Sequence, residues 1–155
     1  MFKKLKKVIF DQLKQGATPQ KLSQSVVIGI LVGCFPLLGF TTALAAVMGF
    51  YMRLNEIVLQ TTNYLMYPVQ IILIPFYIKF GTLFIHSDQP MSIRPDIIAQ
   101  EFMVSPKDFI QKFIWIGLIA VLLWFVASLV LYFILMKLIN PLISRISKAK
   151  SEEVV

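Results

Sequence analysis

Gln60, Asn63, Tyr67 and Gln70 recur at steps of three and four residues, so a helix beginning near residue 56 carries them as one polar stripe. The stripe lies within Ile57 to Ile78, a block without a single charge. Thr41, Thr42, Arg53, Asn55, Glu56, Thr61, Thr62 and Tyr64 stand close by in the chain. In a lipid solvent such groups are expensive, so they are expected to face a bundle interior or a wet cavity. Two chemistries fit them. One is a path or site for a polar or anionic head group, with Arg53 giving fixed charge and Thr41, Thr42, Asn55, Gln60, Asn63, Tyr67 and Gln70 giving hydrogen bonds. The other is interhelical hydrogen bonding that holds a small bundle together. For Arg53 alone, an interfacial anchor paired with Glu56 is the simpler alternative.

Other chemistry is thinly supplied. Asp11, Glu56, Asp88, Asp96, Glu101 and Asp108 are scattered rather than paired. The lone Cys34 and the lone His86 make no nucleophile–base pair, no internal disulfide and no metal set. No glycine loop of the phosphate-cradling kind occurs. A non-enzyme without cofactor or metal is therefore expected.

The elements that must position these groups follow from hydropathy. The 155 residues are 57% hydrophobic, with mean hydropathy +0.76. That exceeds the apolar share of soluble domains, and the excess is gathered in blocks. The expected class is an all-α integral membrane protein with one membrane domain. Charge is placed unevenly. Six lysines face only Asp11 in residues 1 to 24, and Lys137, Arg145, Lys148 and Lys150 face Glu152 and Glu153 after the last apolar block. Residues 79 to 112 are balanced. Both termini therefore read as cytoplasmic, and nucleic-acid binding is not expected because the cations flank apolar segments.

Residues 1–17 place Phe2, Leu5, Ile9 and Leu13 at helical spacing among lysines, the pattern of an amphipathic helix lying on an anionic leaflet. Thr18-Pro19 is a cap followed by a first-turn proline. Residues 26 to 52 are uncharged: too long for one comfortable crossing and too short for two. Gly33, Pro36 and Gly39 interrupt them, which predicts a re-entrant broken helical hairpin over 18–52. Such a turn survives at depth only if its freed backbone groups find partners. A kinked transmembrane helix is expected over 57–80, with Pro68 as the kink, and one long regular transmembrane helix over 113–137. Residues 81–112 form an extracytoplasmic connector in which Pro95 starts a short helix and Ser105-Pro106 caps another. Residues 141–155 are a basic, flexible cytoplasmic tail. Gly29 with Gly33, and Ala43, Ala46 and Gly49, offer small faces for close helix contact. Three plain crossings would strand one basic end outside, so the re-entrant arrangement is preferred.

With these residues named, the segment from about 16 to 82 resembles the bacterial family of small membrane proteins called DUF2062, a domain of unknown function. The resemblance rests on Pro36, Gly39 and Thr41, then Arg53 and Asn55, then Asn63, Pro68 and Gly81. The usual Asn-Pro-x-Thr element is replaced here by NYLMYPVQ, which separates Asn63 from Pro68. The resemblance implies architecture more than activity. Some relatives join this domain to a glycosyltransferase-like domain, which points toward envelope-glycan or lipid-biosynthesis enzymes as partners.

The expected function is non-enzymatic transport or handling of an amphiphilic, anionic substrate such as a phospholipid or polyprenyl phosphate in the bacterial inner membrane. The alternatives are a membrane scaffold or adaptor and, third, a small ion or solute channel. Membrane lipids are the expected partners. A homo-oligomer is expected too, because two spans and a hairpin make a thin bundle around the stripe.

Overall fold

The computed structural model describes residues 2–83 and 95–153, which form seven α-helices and no strand among them. They are α1 (Phe2–Lys14), α2 (Pro19–Gly33), α3 (Thr41–Met52), α4 (Glu56–Leu65), α5 (Tyr67–Leu83), α6 (Pro95–Val104) and α7 (Pro106–Glu153). His86 and the middle of the expected connector, residues 84–94, lie outside the described residues.

The uncharged stretch 26–52 is two helices. α2 starts where Thr18 Oγ1 accepts the Lys21 N–H at 3.4 Å, and it stops at Gly33. The chain then turns over residues 34–40, with Gly39 at φ 85°, where a side chain would be strained. At 1.5 Å per residue α2 is about 22 Å long and α3 about 18 Å, each short of a hydrocarbon core of about 30 Å. Lys21 Nζ donates to the Met52 carbonyl at 2.9 Å, joining the first turn of α2 to the last residue of α3. The two helices are therefore antiparallel.

α3 ends in a Schellman turn: Leu54 N–H donates to Gly49 O at 2.9 Å and Arg53 N–H to Phe50 O at 3.3 Å. Arg53 takes the left-handed position of that turn, φ 51° and ψ 50°. Two residues later Asn55 caps α4, its Oδ1 accepting the Val58 N–H at 3.1 Å. The Arg-Leu-Asn sequence thus stops one helix and starts the next, and α4 runs back alongside α2.

α4 and α5 meet at Met66 with a bend of 57°. Pro68 explains it: the ring has no N–H to give and collides with the Tyr64 carbonyl of a continuing helix. Pro75, by contrast, is carried within α5. α7 has 48 residues, about 72 Å, and passes through Pro141 without a break. Ser105 Oγ donates to the Asp108 carboxylate at 2.7 Å where α7 begins. The helix continues through 141–153, the segment read from the sequence as a flexible tail. Pro106–Lys148 is long and apolar enough to cross a membrane, and only 6% of its most apolar window is buried by the rest of the protein. The bent α4–α5 pair passes the same test as a unit.

Two apolar clusters hold these pieces. Ile28, Val32, Ala45 and Leu59 join α2, α3 and α4. Ile9, Leu13, Leu22, Val26, Val58 and Ile143 join α1 to the starts of α2 and α4 and to the far end of α7. The second cluster alters the sequence reading of α1. Its Ile9 and Leu13 are buried against protein and Leu5 is half-buried there, so this part of the stripe expected to lie on a leaflet is covered by the protein itself. Lys4, Lys6 and Lys7 stay exposed. Periodicity fixes an apolar face but does not say what covers it.

Close helix contact uses glycine where expected on α2. A Cβ at Gly29 would lie 2.7 Å from Leu59 O, and one at Gly33 2.5 Å from Met66 Cβ. On α3 the buried face is Thr41, Ala45 and Gly49, one residue per turn, whereas Ala43 and Ala46 are exposed. The expected α3 face is corrected accordingly: only Gly49 of the three small residues lies on it.

Candidate functional site

Where α2 ends its last carbonyls lose their regular helical donors, and three side chains from other helices donate to backbone carbonyls around the break, Leu31 O also keeping the Cys34 N–H at 3.2 Å. Trp124 Nε1 donates to Leu31 O, Tyr77 Oη to Cys34 O and Gln70 Nε2 to Phe35 O, each at 2.8 Å. Trp124 also meets the Phe35 ring edge-on, centroids 4.9 Å apart. Gln70 is 1% exposed, so its amide belongs to the hairpin turn. Neither Tyr77 nor Trp124 was among the site residues read from the sequence. The available signal was the need for donors itself: both are uncharged donors within the apolar blocks.

A second polar group lies at the opposite end of the hairpin. Asn55 donates through Nδ2 to Gln12 Oε1 at 2.7 Å and through its backbone N–H to Ser25 Oγ at 2.8 Å. Ser25 Oγ in turn donates to Lys21 O at 2.8 Å. With its Oδ1 on Val58 and its carbonyl accepting the Leu59 N–H at 2.9 Å, Asn55 is fully engaged. Buried Gln12 ties α1 into this joint. The Arg53–Glu56 pair considered from the sequence does not form. Glu56 Oε1 instead accepts from Gln60 Nε2 at 2.8 Å, and the left-handed backbone leaves Arg53 exposed.

The middle of the stripe links α3 to α4. Gln60 Nε2 also donates to Thr42 O at 3.2 Å, and Gln60 Oε1 accepts from Asn63 Nδ2 at 3.4 Å. Thr42 thus takes part through its carbonyl, its side chain being exposed; Thr41 is buried on the α3 contact face. Asn63 is 2% exposed, and its Oδ1 is the one buried side-chain polar atom among the described residues with no partner. Tyr67 is 51% exposed and leaves the stripe. The spacing that put it there assumed a continuous helix, and the bend at Met66 changes the phase. Asn63 and Gln70 are covered within one chain, so burying them requires no second copy.

A cleft of about 270 Å³ opens between the hairpin and α7. Leu31 and Val32 of α2, Met48 and Met52 of α3, and Trp124 and Tyr132 of α7 line it. It runs from the hairpin tip, where Trp124 meets Leu31, to the hairpin base at Met52. There Lys21 Nζ touches the Met52 carbonyl and Arg53 follows next in the chain. No group of three or more His, Cys, Asp or Glu placed to hold a metal occurs among the described residues.

These features define an all-helical protein built on a broken apolar hairpin, braced by side-chain donors and flanked by one helix of membrane-crossing length. The family model described as "Uncharacterized protein conserved in bacteria (DUF2062)" matches residues 2–152, and the chain belongs to that family. No curated protein and no solved structure matches it.

Proposed function

We propose that this is a multi-pass protein of the bacterial inner membrane that handles an amphiphile, without catalysing a reaction, by seating its apolar chain beside the re-entrant hairpin. The cleft between the hairpin and α7 carries this reading: it is lined by apolar and aromatic side chains and lies against a helix whose apolar window is almost wholly uncovered. An uncovered apolar surface of that extent belongs in lipid rather than water. Polar donors on the Leu31, Cys34 and Phe35 carbonyls meet the requirement that broken backbone at membrane depth be satisfied internally. The lysines of α1 and the cations of the α7 end gather at the hairpin base, which supports a cytoplasmic base with both termini inside. Met48 and Met52 add adaptable, polarizable walls suited to a flexible chain.

The test is retention of amphiphiles. Protein released from phosphatidylcholine nanodiscs into the gas phase is weighed for added single-chain amphiphiles. Binding by the wild type, and its loss in Met48→Trp with assembly intact, supports the reading. Absence of any bound amphiphile contradicts it. A scaffold role is favoured by one separate observation, the exposed Lys4, Lys6 and Lys7 face of α1. Under that reading, replacing these lysines removes function while amphiphile retention is unchanged.

A further inference from the structure

We infer that Lys21 and Arg53 form a head-group anchor at the base of the cleft, and that the amphiphile it selects carries a phosphate on a single apolar chain. The inference rests on the cleft reading above and adds the head-group chemistry and the end at which it binds.

Three observations lead there. First, the cleft has one charged end. Met52 lines it, the Met52 carbonyl accepts from Lys21 Nζ at 2.9 Å, and Arg53 is the next residue. The ammonium has three donors and this contact uses one. The Arg53 guanidinium is exposed and has no hydrogen-bond or ion-pair partner among the described residues. Glu56, the nearest carboxylate in sequence, is engaged by Gln60.

Second, Arg53 stands where a helix of this ending ordinarily places glycine. Its φ of 51° is the one positive value at a non-glycine residue among those described. The left-handed region is disfavoured for an L residue with a long side chain, and such positions gather at functional sites. The surrounding joint holds the residue there: the Schellman turn on one side and the four-way engagement of Asn55 on the other. A long, exposed cation is thereby held on a rigid turn immediately after Met52 of the cleft wall.

Third, the pair and the volume define the ligand class. A guanidinium fork, together with an ammonium that contacts the carbonyl of the preceding residue, matches the oxygens of a phosphate, the arginine giving paired hydrogen bonds and the lysine a point charge. A volume of about 270 Å³ falls below the range of about 300–1,000 Å³ for drug-sized pockets, which suits one chain rather than the two of a glycerophospholipid.

Trp124 lines the cleft and makes the experiment direct. With Trp115, 55% exposed, replaced by phenylalanine, Trp124 is the only remaining tryptophan. The full chain bearing Trp115→Phe in phosphatidylcholine nanodiscs is titrated with dodecyl phosphate brominated near its chain end. The same titration is run with equally brominated dodecyl trimethylammonium, dodecanol and a two-chain phosphatidic acid. Saturable quenching by the single-chain phosphate at about tenfold lower concentration than by the others is expected. Arg53→Gly, which the left-handed backbone accommodates, and Lys21→Gln should each remove most of that advantage, while Arg53→Lys restores part of it. Equal quenching by all head groups overturns the anchor and leaves the apolar cleft standing. Preference for the two-chain phosphatidic acid overturns the single-chain assignment. If no amphiphile quenches Trp124, the anchor and the cleft reading both fail.

Discussion

The Tyr77 phenol donates its hydrogen to the Cys34 carbonyl at 2.8 Å across 43 positions of sequence, tying α5 to the break in the first apolar segment. Gln70 and Trp124 do the same for the carbonyls on either side. A helix end opened inside an apolar bundle is thus closed by three side chains from two other helices, and the hairpin depends on them.

Tyr77→Phe removes one donor and leaves the Cys34 carbonyl unpaired. A loss of about 1 kcal/mol is expected, in keeping with interhelical hydrogen bonds in membranes, and Gln70→Leu should behave similarly. Unfolding in mixed micelles with increasing denaturing detergent measures both. An unchanged midpoint for both variants would remove the carbonyls' partners from any structural role.

Gly33 and Gly117 give opposite expectations for the same substitution. A Cβ at Gly33 meets Met66 Cβ at 2.5 Å, so Gly33→Ala forces α2 and α4 apart and should cost about 1–3 kcal/mol. Nothing lies within 4 Å of a Cβ at Gly117, so Gly117→Ala should stabilise α7 by up to about 1 kcal/mol through helix propensity. Equal effects of the two would contradict the α2–α4 contact.

Arg53→Gly separates stability from binding. Relief of the left-handed backbone should raise stability by roughly 0.5–1 kcal/mol, while removal of the guanidinium weakens phosphate recognition. Paired unfolding and amphiphile-quenching curves check this. A variant that is less stable than the wild type would show that the Arg53 side chain braces the fold.

Ile9 is 5% exposed within the cluster that includes Ile143. Ile9→Ala should cost about 2–4 kcal/mol and raise hydrogen exchange in α1 and at residues 139–146 together. Faster exchange in α1 alone would mean that the two ends are not coupled.

Local backbone chemistry was the legible part of the sequence. Thr18-Pro19 and Ser105-Pro106 mark helix starts, Gly33 to Gly39 marks a break, and Pro68 marks a bend, because each acts on its own turn of chain. What could not be read was which distant group answers each local need. Periodicity in α1 is identical whether lipid or Ile143, some 130 residues on, covers the stripe. Tyr67 was assigned to the stripe by a spacing that holds only without the bend at Met66. Asn55 and Gln70 read as site residues because they are polar in an apolar setting. Their partners, Gln12 and the Phe35 carbonyl, come from tertiary contacts that no local pattern announces.

The central claim is that the first apolar segment enters and leaves on one side of the membrane. In a Cys34→Ser background, single cysteines at Gln20 and Leu54 flank the hairpin, and an impermeant maleimide is applied to intact spheroplasts and to inverted vesicles. Both positions should label only in inverted vesicles, since Lys21 and Met52 lie together at the base. Labelling of the two positions from opposite faces would mean that residues 26–52 pass through the bilayer, which would contradict the hairpin and the site built on it.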